Sequence, residues 1–118
     1  WGYFGLLLKM QLKNIFDLSK VSSLEKEYFE QLINEKSFYV ERIVSKGHVT
    51  PKGEWYDQGR DEWVMLLQGE AEILYDDLSG DKMYAGDCLL IPAHKRHRVI
   101  YTSEEPECIW LAIHFEKS

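Results

Sequence analysis

Cysteine is nearly absent from this 118-residue sequence, which has only Cys88 and Cys108. Each lies in an apolar run, and they do not form a CxxC pair. The chain therefore has neither the cysteine density of a disulfide-stapled secreted domain nor the spacing of a cysteine-ligated zinc site. A disulfide stays open as an alternative if the two strands are neighbours. We expect two buried free thiols and a cytoplasmic protein, because reducing compartments keep thiols free.

The sequence also lacks an excess of positive charge. It has 14 Lys and Arg residues against 20 Asp and Glu residues, a formal net charge of −6. Such a chain repels phosphate backbones at long range, so we expect no nucleic-acid partner. The densest basic stretch, residues 94–98 (HKRHR), is typical of a solvated loop that leads into a strand. The alternative is a local attraction for an anionic ligand.

Long hydrophobic runs are missing as well. The most apolar segment, residues 1–8 (WGYFGLLL), is too short to cross a bilayer and has no basic region before it, so we expect no membrane association. Because Met10 opens a more ordinary stretch, we interpret residues 1–9 as a tail that precedes the native start. Residues 10–118 are then expected to form a single domain.

Several reaction signatures are absent: the GxSxG nucleophile elbow, the phosphate-binding P-loop, the Rossmann glycine fingerprint and the HExxH zinc motif. The reaction classes that depend on them are disfavoured. What is present is the composition of an ordinary globular protein, with 45% hydrophobic and 29% charged residues. A chain of this composition and length can bury a core of its own.

One segment near the N-terminus has helical periodicity. Within residues 23–35 the apolar side chains recur at helical spacing, namely Leu24, Tyr28, Phe29, Leu32 and Ile33. Ser22 and Glu25 form a capping-box pair at the start of this segment. The pattern predicts an α-helix at about 23–35 whose apolar stripe packs on the outside of a sheet.

The rest of the chain has the pattern of short strands, rich in β-branched and aromatic residues and separated by Gly or Pro turns. The predicted strands are residues 38–44, 62–68, 70–75, 82–84, 89–91, 97–102 and 108–115. A parallel α/β sheet is disfavoured, because no helices alternate with these strands. The sequence therefore predicts an all-β sandwich or barrel with one N-terminal helix outside it.

Two of the strand segments resemble the motifs of the cupin family. Residues 62–69 (EWVMLLQG) look like the end of the first motif, a glutamate followed by a glycine. Residues 86–92 (GDCLLIP), followed by His97, are similar to the second motif. The resemblance covers about residues 47–115 and points to the small single-domain cupins of the cupin 2 barrel family. It implies a jelly-roll barrel, also called a double-stranded β-helix.

The resemblance also implies a metal site, where Glu62 and His97 each begin a strand near one end of the barrel. The family's two histidines before the glutamate are absent, and Asp57 or Gln58 stands in their place, depending on register. The expected ligands are therefore His97 and Glu62, with Asp57, Gln58 or the loop histidine His94, which stands where the second motif has glycine. Zinc, manganese, iron and nickel are all candidates. In the alternative, Glu62 and His97 form a hydrogen-bonded pair without a tightly held metal.

Four further side chains are candidates for ligand contact: Trp55, Tyr56, Tyr101 and Arg98. Trp55 and Tyr56 lie in a loop among charged residues, where aromatic rings often contact a ligand or a second subunit. Most aromatic residues build the core instead, and Arg98 also fits a solvated strand position. His114 in the last strand is an additional candidate if its face lines the barrel, although a hydrogen-bonded core histidine is the more common case.

Two functional hypotheses of different kinds follow. The first is a metal-dependent cupin that acts on or senses a small organic molecule; as an enzyme, the resemblance implies oxygenase or isomerase chemistry. The second is a non-catalytic module that binds or senses a small molecule without a tightly held metal. A third reading is a side-chain-filled barrel whose function is association. In each case we expect a homodimer.

Overall fold

The computed structural model describes residues 10–117, which form eight β-strands. In chain order they are β1 (Tyr28–Asn34), β2 (Phe38–Ser45), β3 (Asp61–Gln68), β4 (Glu70–Tyr75), β5 (Gly80–Tyr84), β6 (Cys88–Ile91), β7 (His97–Thr102) and β8 (Cys108–Phe115). A five-stranded sheet has the order β1-β2-β8-β3-β6 and a three-stranded sheet the order β5-β4-β7. All paired strands are antiparallel. Every strand predicted from residue 38 onward is confirmed, and the segment interpreted as a tail, residues 1–9, lies outside the described residues.

The predicted helix at 23–35 is wrong, because most of this segment forms β1. Tyr28 and Phe29 pair with residues of β2, and Ser23 Oγ accepts the Glu25 N–H in a local turn rather than a helix cap. A short apolar pattern fits a strand as well as a helix, and the open edge of β2 supplies the backbone partners that decide between them. Within residues 10–117 there is no α-helix, and so none that could cross a membrane.

The core lies between the two sheets. Along β8 the inward-facing residues Cys108, Trp110, Ala112 and His114 are all buried, which confirms the alternation predicted for this strand. Leu66 of β3 has no exposed surface, and burial of such a side chain contributes about 1.5–3 kcal/mol. The smaller sheet covers the core with Ala71, Ile73 and Met83.

The two cysteines have free thiols in different surroundings. Cys108 is buried, and its Sγ donates a hydrogen bond to the Glu70 carbonyl oxygen at 3.1 Å. Cys88 is exposed on β6, so the expectation of a buried thiol is wrong there. β6 is an edge strand of the larger sheet, and β3 separates it from β8.

Gly69 lies where the chain passes from the larger sheet into the smaller one, between β3 and β4. Its φ is +90°, and a Cβ there would lie 2.7 Å from Ser103 Oγ and 2.9 Å from Cys108 Sγ. Both the left-handed backbone and the lack of space require glycine. The glycine that ends the first motif therefore allows β3 and β4 to lie on opposite sides of the core.

The segment before β1 is held on the outer face of β2 by Arg42. This side chain is buried, and Nη1 donates hydrogen bonds to the carbonyl oxygens of Ile15 at 3.2 Å and Asp17 at 2.6 Å. Nη2 lies 2.8 Å from the Glu30 carboxylate. These contacts fix β1 beside β2 and so position the residues just before β1 near the interior.

Candidate functional site

A cavity of about 410 Å³ lies between the two sheets. This volume is within the range of about 300–1,000 Å³ that is typical of small-molecule sites. Its walls are largely apolar, and they include Ile43, Val64, Ile73, Ile91 and Val99. Polar side chains project between these walls, and sites for organic ligands likewise combine apolar walls with placed polar groups.

Glu62 is the second residue of β3, and its carboxylate faces the cavity. Gln58, in the loop just before the strand, donates a hydrogen bond from Nε2 to Glu62 Oε1 at 3.0 Å. The other carboxylate oxygen lies 3.9 Å from His114 Nε2. The amide thus holds the acid by a hydrogen bond, whereas the imidazole is too far from it for one and bonds Glu41 instead.

His97 is the first residue of β7 and lines the same cavity. Its Nδ1 lies 2.8 Å from the Lys95 carbonyl oxygen. Because a carbonyl can only accept, Nδ1 carries the proton, and in the neutral ring Nε2 is an acceptor on the opposite edge. The Tyr56 ring stacks on His97 with centroids 5.5 Å apart, held there by paired backbone hydrogen bonds between the two residues.

A buried histidine–carboxylate pair forms a third polar group of the cavity. His114 of β8 donates from Nε2 to Glu41 Oε1 of β2 at 2.9 Å. The Tyr39 ring stacks on the imidazole with a centroid distance of 4.3 Å. His114 Nδ1 is buried and has no hydrogen-bond partner within the described chain. The pair therefore depends on the single contact with Glu41.

Glu27, just before β1, contributes a third carboxylate to the cavity. The Ser45 hydroxyl donates to Glu27 Oε2 and accepts a hydrogen bond from Trp110 Nε1 at 3.2 Å. Burial raises the pKa of Glu27 above its ordinary value, and the Ser45 hydrogen bond opposes this shift. The tryptophan, the serine and the acid form one chain of contacts along the cavity wall.

Two tyrosines of the cavity have raised pKa values. For Tyr56 the first cause is burial, and the carboxylates of Glu27 and Glu62 add to the increase in pKa. For Tyr39 burial is again the first cause of the raised pKa, followed by Glu41 and Glu62. Both phenols therefore stay protonated at neutral pH, and the sign of the charge effects indicates a negative potential in the cavity.

The structure separates the expected metal ligands into two groups. Glu62, Gln58 and His97 line the cavity, but Asp57 and His94 form a pair on the outside, with His94 Nδ1 2.8 Å from Asp57 Oδ1. Residues 10–117 include no group of three or more His, Cys, Asp or Glu side chains arranged to hold a metal ion. Of the expected ligand sets, only His97, Glu62 and Gln58 line one cavity, and a metal bound there stays a prediction.

The four candidates for ligand contact are also divided, since only Tyr56 lines the cavity. Trp55 lies outside it, with the guanidinium groups of Arg96 and Arg98 at 5.5 Å and 5.7 Å from its ring. Tyr101 is exposed because a bulge after Val99 inserts one extra residue into β7. A single inserted residue reverses the side-chain alternation beyond it, so Tyr101 points away from the interior.

The sequence interpretation missed Glu27, Glu41 and Tyr39. A signal for two of them exists in β2, where Tyr39, Glu41 and Ile43 alternate and all face the cavity. A glutamate on the apolar side of a strand could have been recognised as a candidate site residue. Glu27 had no such signal, because the segment around it was assigned to a helix.

Several solved structures resemble this architecture. A protein from Ralstonia eutropha JMP134, which carries the provisional name mannose-6-phosphate isomerase, is 38% identical with a TM-score of 0.84, and the match covers 92% of this chain and 100% of that one. A cupin superfamily protein from Desulfitobacterium hafniense DCB-2 is 21% identical with a TM-score of 0.67, over 81% of this chain and 83% of that one. The cupin domain of Cnp3 from Schizosaccharomyces pombe is 15% identical with a TM-score of 0.69, and the match covers 86% of this chain and 68% of that one. The last two show the fold alone.

The family assignment has support from sequence as well. A search of curated protein sequences found no match. The family model of the cupin domain matches residues 41–114, which is more than half of the chain and includes Glu62, Gly69, Gly86 and His97. Together with the Ralstonia structure, which shares both sequence and fold with this protein, this match shows that the chain belongs to the cupin family.

Proposed function

We propose that this cupin binds a small organic molecule in the cavity, with His97 and Glu62 as the principal polar contacts. His97 carries the proposal: it is 5% exposed, and its Nε2 has no hydrogen-bond partner among residues 10–117. The residue lines the cavity, so this nitrogen is available to a ligand there. A ligand donor at Nε2 would supply the missing hydrogen bond, at about 0.5–1.5 kcal/mol.

The cavity walls support a ligand with a hydrocarbon part. Apolar side chains from both sheets surround the polar groups, and the Trp110 ring adds a large flat surface. Transfer of apolar ligand surface from water to such walls contributes about 25 cal/mol per Å² before the costs of association. The walls would therefore provide affinity, and His97 with Glu62 would provide orientation.

An isomerase is the second candidate, favoured by the provisional name of the Ralstonia protein. Moving a proton between two atoms of a substrate requires one group that accepts it and one that returns it. Glu62 and His97, on one cavity, are groups of the required kind. A phosphorylated substrate is not part of this proposal, because no Lys or Arg is among the described residues that line the cavity.

Ligand-observed NMR with a library of small polar compounds tests the binding proposal. Val99→Phe fills part of the cavity, and Ile100→Phe introduces the same side chain at the next, exposed position of β7 as a matched control. We expect compounds that bind the wild type and Ile100→Phe but not Val99→Phe. Binding that survives Val99→Phe would place the ligand elsewhere, and a library without any such compound would contradict the proposal.

The same compounds test metal dependence and catalysis. Affinity that is unchanged after treatment with a chelator would support binding without a metal. Loss of affinity after this treatment would support the expected metal site. Incorporation of deuterium into a bound compound in D₂O, absent with His97→Ala, would support an isomerase. The homodimer and the cytoplasmic location stay predictions, which sedimentation and cell fractionation address.

A further inference from the structure

The described lining of the cavity has three carboxylates, and its basic side chains are the imidazoles of His97 and His114. Glu27, Glu41 and Glu62 contribute three carboxylates, whereas no Lys or Arg is among the described lining residues. Glu41 and Glu62 are 9% and 8% exposed. A buried carboxylate is costly unless opposite charge or hydrogen-bond donors compensate it. The described lining therefore has no permanently charged cationic side chain.

Most donors of the cavity are already used. Each carboxylate receives one hydrogen bond from the protein: Glu62 from Gln58, Glu27 from Ser45, and Glu41 from His114. A carboxylate has about four acceptor positions, so most of these positions stay available. Apart from the phenol groups, which can donate or accept, and the second N–H of the Gln58 amide, the polar surface left for a ligand consists of acceptors.

His97 provides a further acceptor in the same cavity, independently of the carboxylates. It is not an acid, it is 5% exposed, and the Lys95 carbonyl fixes the proton on Nδ1. The Nε2 lone pair on the opposite edge faces the cavity without a partner within the described residues. This nitrogen can therefore accept a hydrogen bond from a ligand donor, which the three carboxylates cannot provide.

We infer that the cavity takes a small protonated amine, whose N–H groups reach His97 Nε2 and the carboxylates and whose hydrocarbon part packs against the walls. The inference rests on the proposed function, because it specifies the ligand class of the same cavity. A primary ammonium group has three donors, no acceptor and one positive charge, which complements this lining. The faces of Tyr56 and Trp110 would add attraction for the cation.

Other ligand classes fit the same lining less well. A carboxylate or phosphate would meet like charges and find no Lys or Arg among the described lining residues. A neutral alcohol could donate to His97 Nε2, but it would leave the charge of the carboxylates uncompensated. An amine satisfies the charge and the hydrogen-bond requirements together.

Three compounds of one shape separate these classes: cyclohexylamine, cyclohexanol and cyclohexanecarboxylate. At pH 7 the first is a cation, the second is neutral and the third is an anion. We expect titrations followed by ¹H–¹⁵N NMR to give a dissociation constant for the amine at least tenfold below that of the alcohol, with no binding of the carboxylate. Equal or tighter binding of the alcohol or the carboxylate would overturn the inference.

Matched acid variants test which charges are responsible. Glu62→Gln keeps the side-chain shape and should weaken cyclohexylamine binding at least tenfold without a change for cyclohexanol. Glu72→Gln is the control, because Glu72 pairs with Lys82 at 3.6 Å and lies outside the cavity. Should Glu62→Gln fold poorly, Glu27→Gln provides the same test. Unchanged amine affinity in the folded acid variants would contradict the inference.

The two proposals fail in different ways. If the amine does not bind but another compound binds in a manner that Val99→Phe abolishes, the amine inference is wrong and the binding proposal stands. If no compound of the library or of this set binds in the cavity, both are wrong. Thermal unfolding of each variant confirms that a loss of binding reflects the cavity rather than the fold.

Discussion

Two histidine–carboxylate hydrogen bonds among residues 10–117 have nearly equal lengths but opposite surroundings. His114 Nε2 lies 2.9 Å from Glu41 Oε1, and these side chains are 5% and 12% exposed. His94 Nδ1 lies 2.8 Å from Asp57 Oδ1, and these side chains are 73% and 49% exposed. One pair belongs to the cavity wall. The other lies on the surface, where it joins the loops that precede β3 and β7.

The comparison shows that a short distance does not measure the importance of a contact. Water can replace either partner of the surface pair, so such pairs contribute about 0–1 kcal/mol. Water cannot do this for the buried pair, where the loss of one member leaves the other without compensation. The surface pair also keeps Asp57 and His94 out of the cavity, so of the alternatives for the third ligand only Gln58 lines it.

The same substitution in both pairs should have very different effects on stability. His114→Asn leaves the Glu41 carboxylate buried without its imidazole, and we expect the free energy of unfolding to fall by about 3–5 kcal/mol. His94→Asn should change it by less than about 1 kcal/mol, since Asn tolerates a left-handed backbone and Asp57 is solvated. Urea denaturation of both variants measures the two values.

A double variant provides the control for this prediction. Replacing both Glu41 and His114 by leucine removes the charge together with its partner, so much of the stability lost in His114→Asn should return. If His94→Asn proves as destabilising as His114→Asn, burial does not determine the difference between the pairs.

At His94 the left-handed backbone should affect the stability of the protein more than the contact with Asp57 does. Its φ is +63°, in the left-handed region, which costs a residue with a Cβ about 1–2 kcal/mol relative to glycine. His94→Gly and His94→Ala both lose the contact with Asp57, so their difference isolates the backbone. We expect the glycine variant to be more stable by about 1 kcal/mol in urea denaturation. An equally stable alanine variant would contradict this.

The strands were predictable because their patterns depend on local chemistry. Turn residues and alternation located β2 through β8, and the glycine expected at position 69 is required by both φ and space. β1 was not predictable in this way, because its apolar residues fit two periodicities and only the edge of β2 selects the strand. The choice between helix and strand was made by a tertiary contact.

The candidate site was predictable only in part. Glu62 and His97 begin strands that the fold brings to one cavity, as the two motifs suggested. Tyr101 was placed wrongly because a bulge cannot be recognised from alternation. In the loop before β3 the sequence left both Asp57 and Gln58 as candidates, and it is Gln58 that faces inward. The role of Glu41 depended on which sheet face of β2 covers the core, which only the pairing with β8 determines.

The exposure of Glu27 lies between the exposures of the two pairs. Its replacement should have the smallest effect on the free energy of unfolding. Burial raises its folded-state pKa above the unfolded value. The stability gained from the protonated form is therefore complete below the ordinary glutamate pKa of about 4.3 and is lost as pH rises through the folded pKa. A glutamine at this position does not titrate, so Glu27→Gln does not lose this stability as the pH rises. The difference in free energy of unfolding between Glu27→Gln and the wild type should therefore favour the variant more at pH 7.5 than at pH 4. Glu25→Gln, at an exposed position two residues earlier, should show no such difference. Urea denaturation at both pH values gives the comparison, and an advantage of Glu27→Gln confined to pH 4 would mean that the carboxylate is stabilised as an anion.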